Sequence, residues 1–355
     1  MKRWDVIIVG GGIIGLSLSI ALRKRGATVL VVERGEPGRE ASHAAAGMLA
    51  DFPLETPLAL QPLATASARM YPEFVHELED ESGMNVDLRD QGTIFFVAPK
   101  HLRERPLLTA DCPLPSPLSE LEPALSHINL PAIYLKERSV DPRALTAAAL
   151  KAARHRGVDI ASGTAVTEVL LANGSVSGVS THRSSYSASV VVNCAGAWAG
   201  QLLPHHFPTR PVKGQMLSLV GVSRDLLRHV IRAPEIYLVP RSDGRILVGA
   251  TVEEAGYDKR TDAATIHRMQ QAAIHLLPAL ADARMLEAWA GLRPGSPDNL
   301  PILGATRTPG YFVATGHFRD GILLTPVTAH VMAQMVAGGQ PEYDLSPFSP
   351  LRFQN

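Results

Sequence analysis

The chain has 355 residues, a formal net charge of zero and 46% hydrophobic residues. Its length predicts two domains, with enough apolar material for a sizeable core. A neutral chain argues against nucleic acid or an anionic membrane surface as the main partner, because both require concentrated positive charge. Cys112 and Cys194 are isolated and have no metal-type spacing, so we expect a cytoplasmic protein without a disulfide framework or a metal site.

The first forty residues contain the pattern that constrains function most strongly. They are predicted to form a strand, a glycine turn, a helix and a second strand, at 5–9, 10–15, 16–25 and 28–32. Gly10 allows the tight turn, Gly12 lets a pyrophosphate approach the backbone, and Gly15 lets the helix pack closely on the sheet. The helix N-terminus offers free N–H groups, and Glu33 can accept hydrogen bonds from a ribose hydroxyl. This arrangement predicts a dinucleotide-binding site.

A targeting segment is the alternative explanation of the same stretch. Lys2 and Arg3 precede an uncharged run at 6–22, as in a signal peptide or a membrane span. A span needs about 20 predominantly apolar residues, whereas this shorter run carries four glycines and two serines. Charged residues return directly after it and no small-residue cleavage site follows, so we expect the dinucleotide site instead.

The next part of the chain is predicted to hold helices, strands and a long irregular stretch. The expected elements are a helix at 64–82, strands at 85–97, an irregular or helical stretch at 100–131 and a helix at 139–157. Pro72 is expected to start or interrupt the first helix. A Gln91–Gly92 turn is expected to separate the strands, and Asp141–Pro142 to start the last helix.

The remainder is predicted to be rich in strands. The expected elements are short strands at 158–160, 165–171 and 176–180, a buried strand from 189 into a glycine turn at 196, a strand at 211–220 with a bend at 213–214, a hairpin at 235–252, a helix at 261–280, a strand at 311–317 and a helix from about 322 to 336. Strand-then-glycine patterns at both ends of the chain predict an α/β fold, with a discontinuous Rossmann-like cofactor domain and an inserted, mainly antiparallel substrate domain. We assign 1–82, 141–206 and 289–355 to the first domain, and 83–140 and 207–288 to the second.

Several segments, in chain order, resemble the D-amino-acid oxidase superfamily of FAD-dependent amine oxidoreductases, and most closely the bacterial glycine oxidases associated with thiamine biosynthesis. They are VIIVGGGIIG, Glu33, AAAGML, VDP, NCAGAWA, PVKGQML, IYLVPRSDGRILVGAT, WAGLRPGSPDNLPILG and GHFRDGILL. The fingerprint at the start occurs in many FAD and NAD proteins, whereas the last three segments are more specific. The stretch at 100–131 matches no motif of this family.

The resemblance implies that the cofactor is FAD and which residues contact it. The implied residues are Gly10, Gly12, Ile13, Ile14 and Gly15 at the pyrophosphate, Glu33 at the adenosine ribose, Arg34 as a further cofactor contact, Ser42, Ala46, Gly47 and Met48 along the flavin and its phosphates, Val166 at the adenine, and His317, Phe318, Arg319, Asp320, Gly321, Ile322 and Leu323 at the pyrimidine side of the flavin. Relatives that bind FAD covalently use a cysteine in the C-terminal stretch. Neither cysteine lies there, so we expect dissociable FAD.

The resemblance also implies a substrate site and a reaction. Arg293 is expected to hold an α-carboxylate bidentately, with the Tyr237 hydroxyl completing the site and Arg319 close to the substrate. The implied reaction passes a hydride from the substrate Cα to flavin N5, without a required protein acid or base. The imine then hydrolyses to a 2-oxo acid and ammonia (glyoxylate from glycine), and O₂ is reduced to H₂O₂.

Three alternatives stay open at this point. The protein could be a flavin dehydrogenase that passes electrons to a quinone or a protein, although no membrane anchor is visible in the sequence. It could be a nicotinamide-binding or non-catalytic dinucleotide module, which would leave the later motifs unexplained. It could also keep the oxidase chemistry and accept sarcosine, proline or a small D-amino acid. The resemblance further implies a homotetramer and a role in thiamine biosynthesis.

Overall fold

The computed structural model describes residues 2–105, 107–221 and 223–353. Its helices are α1 (Ile13–Lys24), α2 (Ala41–Ala44), α3 (Gln61–Ser82), α4 (Pro99–Glu104), α5 (Leu108–Asp111), α6 (Leu118–Leu121), α7 (Pro142–His155), α8 (Ala263–Leu276) and α9 (Thr325–Val336). Short 3₁₀ turns lie between several of these elements. Within the described ranges, no helix has the length and apolar composition that crossing a bilayer requires.

The strands form two large sheets and one small sheet. They are β1 (Arg3–Val9), β2 (Val29–Val32), β3 (Met48–Leu49), β4 (Leu88–Arg89), β5 (Thr93–Phe96), β6 (Ala132–Leu135), β7 (Arg138–Val140), β8 (Asp159–Ala161), β9 (Val166–Ala172), β10 (Ser175–Thr181), β11 (Ser185–Asn193), β12 (Arg210–Val220), β13 (Val230–Arg232), β14 (Tyr237–Pro240), β15 (Arg245–Gly249), β16 (Arg284–Gly295), β17 (Ile302–Ala305) and β18 (Tyr311–Thr315). The small sheet joins β3, β7 and β4.

The first large sheet has a parallel centre in the order β18, β11, β1, β2 and β8. The β9–β10 hairpin attaches to β11, and β17 pairs antiparallel with β18 at the other edge. The β1 run from Val6 to Val9 is fully buried, as expected of a strand with a covered layer on each face. Helices α1, α7, α3 and α9 pack together in one apolar cluster with this sheet. The predicted α/β class with a Rossmann-like sheet is confirmed.

The second large sheet has the order β16, β12, β15, β14, β13, β5 and β6. Its neighbours are antiparallel except for β13 and β5, which run parallel. Because side chains alternate along a strand, Leu217, Leu238 and Val248 pack in a cluster with α8 on one face. Met216 and Tyr237, each one residue away from this buried set, lie on the opposite face.

Several elements differ from the sequence predictions. Helix α3 begins at Gln61 and runs without a break through Pro72, so Pro72 neither starts nor interrupts it. Proline cannot donate the hydrogen bond that the carbonyl four residues earlier would accept. That carbonyl belongs to Ala68, and Arg138 Nη1 donates to it at 3.3 Å. A long-range partner therefore replaces the missing bond.

The strands predicted around the Gln91–Gly92 turn do not pair with each other. β4 pairs with β7 in the small sheet, whereas β5 joins the second large sheet, so the turn connects two sheets. The bend predicted at 213–214 is absent, because β12 runs continuously. The final helix begins at Thr325 instead of about 322. No sequence pattern had predicted strand β16, which contains residue 289, the expected start of the last segment of the cofactor domain. The division into domains stays a prediction.

Candidate active site

A cavity of about 1130 Å³ is lined by residues of both large sheets and of the turn before α1. This volume is above the usual range of about 300–1,000 Å³ for pockets that hold a drug-sized ligand. The cavity therefore has room for a dinucleotide and a small second molecule. Its wall can be described from the glycine turn towards the second sheet.

The glycine turn presents an anion-binding helix end to the cavity. Gly10 has φ +109°, and a Cβ there would lie 2.4 Å from the carbonyl oxygen of Cys194. At the start of α1 the Ile13 amide donates to Ser42 Oγ at 3.0 Å. In the described part of the chain, the amides of Gly12 and Ile14 donate to no protein acceptor. These free donors, together with the helix dipole, suit a phosphate group.

Glu33 directly follows β2 beside this turn and is held rigidly. Its two carboxylate oxygens accept hydrogen bonds from the amides of Gly11 at 2.7 Å and Gly35 at 2.9 Å. Next to it, the Arg34 guanidinium lies 3.5 Å from the centre of the Trp198 ring and pairs with Glu40 at 2.8 Å. A fixed acceptor near flat, stacked groups is the environment that a nucleoside requires.

The segment from Ala46 to Met48 lines the cavity wall between the glycine turn and the second large sheet. Gly47 has φ +76°, and a Cβ there would lie 1.9 Å from the carbonyl oxygen of Val140. The Gly47 carbonyl accepts from the Val140 amide at 2.8 Å. On its other side, the buried Arg241 donates from Nη2 to the Ala46 carbonyl. The segment is thus fixed by its own backbone, which leaves its small residues on the wall.

The segment from His317 to Ile322 forms the opposite part of the wall. His317 is buried with Nε2 3.2 Å from Thr328 Oγ1, and burial lowers its pKa to about 4, so the ring is neutral at pH 7. Phe318 has φ +48°, and its amide donates to the Pro294 carbonyl at 3.0 Å. This bond ties the segment to β16. Burial raises the pKa of Asp320 to about 6, against the opposing influence of Arg319.

The second sheet contributes Arg293 and Tyr237, which lie together on its cavity face. Arg293 Nη1 donates to the carbonyls of Thr251 at 3.1 Å and Lys213 at 3.4 Å. Burial lowers the pKa of Arg293 and raises that of Tyr237, so the tyrosine keeps its hydroxyl proton at pH 7. A guanidinium in a protein keeps its charge. Among the described residues, no carboxylate pairs with Arg293.

Two glycines make room for these side chains. A Cβ at Gly214 would lie 2.3 Å from Arg293 Nη1, and a Cβ at Gly249 would lie 2.4 Å from the Tyr237 hydroxyl. The strand register explains the second case, because Gly249 is the direct cross-strand partner of Tyr237. These glycines of β12 and β15 therefore let two large polar side chains lie flat on the sheet.

The structure brings almost all of the predicted site residues to one cavity. Those on its wall are Gly10, Gly12, Ile13, Ile14, Glu33, Arg34, Ser42, Ala46, Gly47, Met48, Val166, Tyr237, Arg293, His317, Phe318, Arg319, Asp320, Gly321 and Ile322. Gly15 and Leu323 are not on the wall: a Cβ at Gly15 would lie 2.1 Å from the Gly10 carbonyl oxygen, and Leu323 is buried in the core. The individual binding roles stay predictions.

Sequence reasoning missed Arg232 and Glu55, which also line the cavity. Arg232 ends the three-residue strand β13, and Glu55 lies in the connection after β3. Neither belongs to a motif, so no sequence signal marked them. Cys194 is buried at the cavity wall, and burial raises the pKa of its thiol to about 12.

A Rossmann-like sheet, an anion-binding glycine turn, a ribose-type carboxylate and a second sheet define a dinucleotide-binding protein. The second sheet carries a partly buried arginine that has no carboxylate partner in the described residues. The family described as FAD dependent oxidoreductase matches residues 5–335, and the chain belongs to this family. The predicted cofactor, FAD, is confirmed by this membership. The free amides at α1 and the carboxylate of Glu33 fit the phosphates and ribose of that group.

Comparison with individual proteins gives more detailed similarities. The chain is 37% identical to the bifunctional protein ThiO/ThiG of Trichormus variabilis, over 99% of this chain and 55% of that protein. The chain thus spans about half the length of the bifunctional relatives it matches. It is 33% identical to the glycine oxidase of Pseudomonas aeruginosa, over 97% of this chain and 98% of that protein. The crystal structure of glycine oxidase from Geobacillus kaustophilus superposes with a TM-score of 0.91, at 31% identity and 98% coverage of both chains.

Proposed function

We propose that this protein is an amino-acid oxidase that acts on glycine or a similarly small amino acid. The observation that supports it is the Arg293 guanidinium, which faces the cavity beside Tyr237 without a carboxylate partner in the described residues. A buried cation is costly unless an anion compensates it. An α-carboxylate would supply that anion and would place the rest of the substrate in the cavity.

The residues around Arg293 determine how a carboxylate would bind. The carbonyls of Lys213 and Thr251 hold the Nη1 side of the guanidinium against the sheet. The Tyr237 hydroxyl provides a second donor, and Arg319 adds positive charge from the opposite wall. Two donors from separate strands fix a planar carboxylate in two directions. The substrate Cα is then held in place by binding alone, which is the protein's main contribution to rate.

Bound FAD would supply the redox chemistry, which is hydride acceptance from the substrate Cα and electron transfer to O₂. Overall, the amino acid, O₂ and H₂O give a 2-oxo acid, ammonia and H₂O₂. We assign no protein acid or base, because the substrate amine can lose its proton to solvent before hydride leaves. His317 is unsuited to proton transfer, since it is buried, neutral and 3.2 Å from Thr328 Oγ1.

The test is the visible spectrum of the purified protein before and after glycine is added without oxygen. Loss of the oxidised flavin band is the expected result. Admission of air should then restore the band and yield one H₂O₂ for each 2-oxo acid formed. A protein that stays oxidised with glycine, sarcosine, proline and small D-amino acids would contradict the proposal. Reduction without H₂O₂ on reoxidation would indicate a dehydrogenase with another electron acceptor.

We also propose that FAD is bound non-covalently, because the thiol of Cys194 is buried and protonated. Release of free FAD on acid precipitation of the protein would test this. By resemblance to glycine oxidases, we propose a cytoplasmic homotetramer whose product serves thiamine biosynthesis. Light scattering coupled to size exclusion would measure the oligomeric state. Rescue of a thiamine-requiring strain that lacks its own enzyme would test the role in the pathway.

A further inference from the structure

Arg232 lies on the cavity wall next to the proposed carboxylate site but is already neutralised. Its exposed fraction is 7%, and its Nη1 donates to Glu137 Oε2 at 3.1 Å. Its Nη2 pairs with Glu55. Burial lowers the pKa of Arg232 to about 10, which leaves the guanidinium charged at pH 7. Two glutamates therefore share one buried cation. Burial raises the pKa of the Glu137 carboxyl to about 8, so Glu137 adds little negative charge at pH 7 and Glu55 is the partner that faces the cavity.

The register of the second sheet places this group beside the substrate site. Tyr237 is the direct cross-strand neighbour of Arg232, and Phe95 is its neighbour on the other side. Directly opposed side chains on one face of a sheet lie about 5 Å apart at Cβ. The Arg232 guanidinium covers the Phe95 ring at 4.9 Å from its centre. A substrate held by Arg293 and Tyr237 would thus extend its free end towards Arg232.

The two carboxylates on Arg232 differ in how firmly they are held. Glu137 has a side chain only 2% exposed, whereas the Glu55 side chain is 39% exposed. Glu55 lies in the connection between β3 and the 3₁₀ turn before α3, and it reaches the cavity from outside both large sheets. Loss of Glu55 would leave Arg232 paired with Glu137 and with free donors facing the cavity.

We propose that Glu55 is a specificity-determining residue that occupies Arg232 and thereby excludes substrates with a second carboxylate. This inference rests on the proposed amino-acid oxidase function and extends it to the free end of the substrate. In the native protein, a side-chain carboxylate at this end meets Glu55 and a guanidinium whose two terminal nitrogens are already paired. In Glu55→Gln, the negative charge is gone and the guanidinium can bind the second carboxylate.

The experiment compares D-aspartate with D-asparagine, which has the same shape but no second charge. The kcat/KM ratio of D-aspartate to D-asparagine should rise at least about tenfold in Glu55→Gln, as expected for one unit charge removed a few ångströms away. Glu254→Gln is the matched control, because Glu254 pairs with Arg210 on the surface and does not line the cavity. In that variant the ratio should stay unchanged.

A binding measurement separates this inference from the proposed function. The shift in Tm that succinate causes should grow in Glu55→Gln relative to the shift caused by succinamate, whether or not any amino acid is oxidised. Failure of every amino acid to reduce the flavin, with this shift present, would reject only the oxidase. An equal gain for the charged and the neutral ligand would show that Glu55 acts by bulk alone. That result, or an unchanged ratio, would overturn the inference.

Discussion

Replacement of Arg293 is the most direct perturbation of the proposed substrate site. Arg293→Ala removes a partly buried cation that holds two carbonyls on one side and faces the cavity on the other. Truncation of one partner of a buried, hydrogen-bonded charge pair costs about 2–5 kcal/mol. At about 1.36 kcal/mol for each factor of ten, kcat/KM for glycine should fall by about 30- to 5,000-fold.

The assay is H₂O₂ production at several glycine concentrations, with bound FAD measured in the same samples. Arg284→Ala is the matched control, since Arg284 is an exposed arginine at the start of the same strand, β16. The control should keep its kcat/KM and its FAD. Arg293→Lys should recover only part of the loss, because an ammonium keeps the charge but not the planar pair of donors. Near-normal kcat/KM in Arg293→Ala with full FAD content would refute the carboxylate assignment.

Two further predictions concern the cavity wall. Gly47→Ala should lower the free energy of unfolding by more than about 2 kcal/mol and weaken FAD retention, because the new Cβ meets the Val140 carbonyl at 1.9 Å. Gly83 also has a positive φ, but a Cβ there would lie in open space, so Gly83→Ala should lower the free energy of unfolding by only about 1 kcal/mol. Equal losses of this free energy in the two variants, measured by urea titration, would disprove the steric reason. The pKa of Asp320 is raised to about 6, so its carboxyl should destabilise the fold progressively as pH rises from about 4 to 6. Asp320→Asn should therefore be more stable than the native protein at pH 7 by about 2–3 kcal/mol, with no difference in stability below about pH 4. A difference in stability that stays constant between about pH 4 and pH 7 would argue against the raised pKa of Asp320.

The cofactor end of the cavity was predictable because its determinants are local in sequence. The strand, the glycine turn and α1 follow one another directly, and each glycine has a steric reason that the sequence order already implies. The amphipathic helices and the hairpin of β14 and β15 were recognisable for the same reason. Pro72 shows the limit of such rules, because the missing hydrogen bond is compensated by Arg138, whose position depends on the tertiary fold.

The substrate end could be predicted only where a family motif covers it. Arg293 and Tyr237 lie in such motifs, but their juxtaposition depends on the pairing of β12 with β16 and of β14 with β15. Arg232 and Glu55 come from β13 and from the connection after β3, which are distant in sequence and meet only in the folded chain. No periodicity in a three-residue strand reveals which face its last side chain occupies, so this group had no sequence signature.

This difference between the two ends has a consequence for how the family can vary. The phosphate site uses backbone amides and glycines, whose substitution is opposed by steric contacts of 2.1–2.4 Å at Gly15 and Gly10. The free end of the substrate site uses side chains on a pre-formed sheet face, and an exposed residue such as Glu55 can change without a backbone rearrangement. Substitutions at the cross-strand neighbours Tyr237, Arg232 and Phe95 should therefore change substrate preference while FAD binding is retained. Exchange of a single charge at Glu55 is the smallest step of that kind which this chain permits.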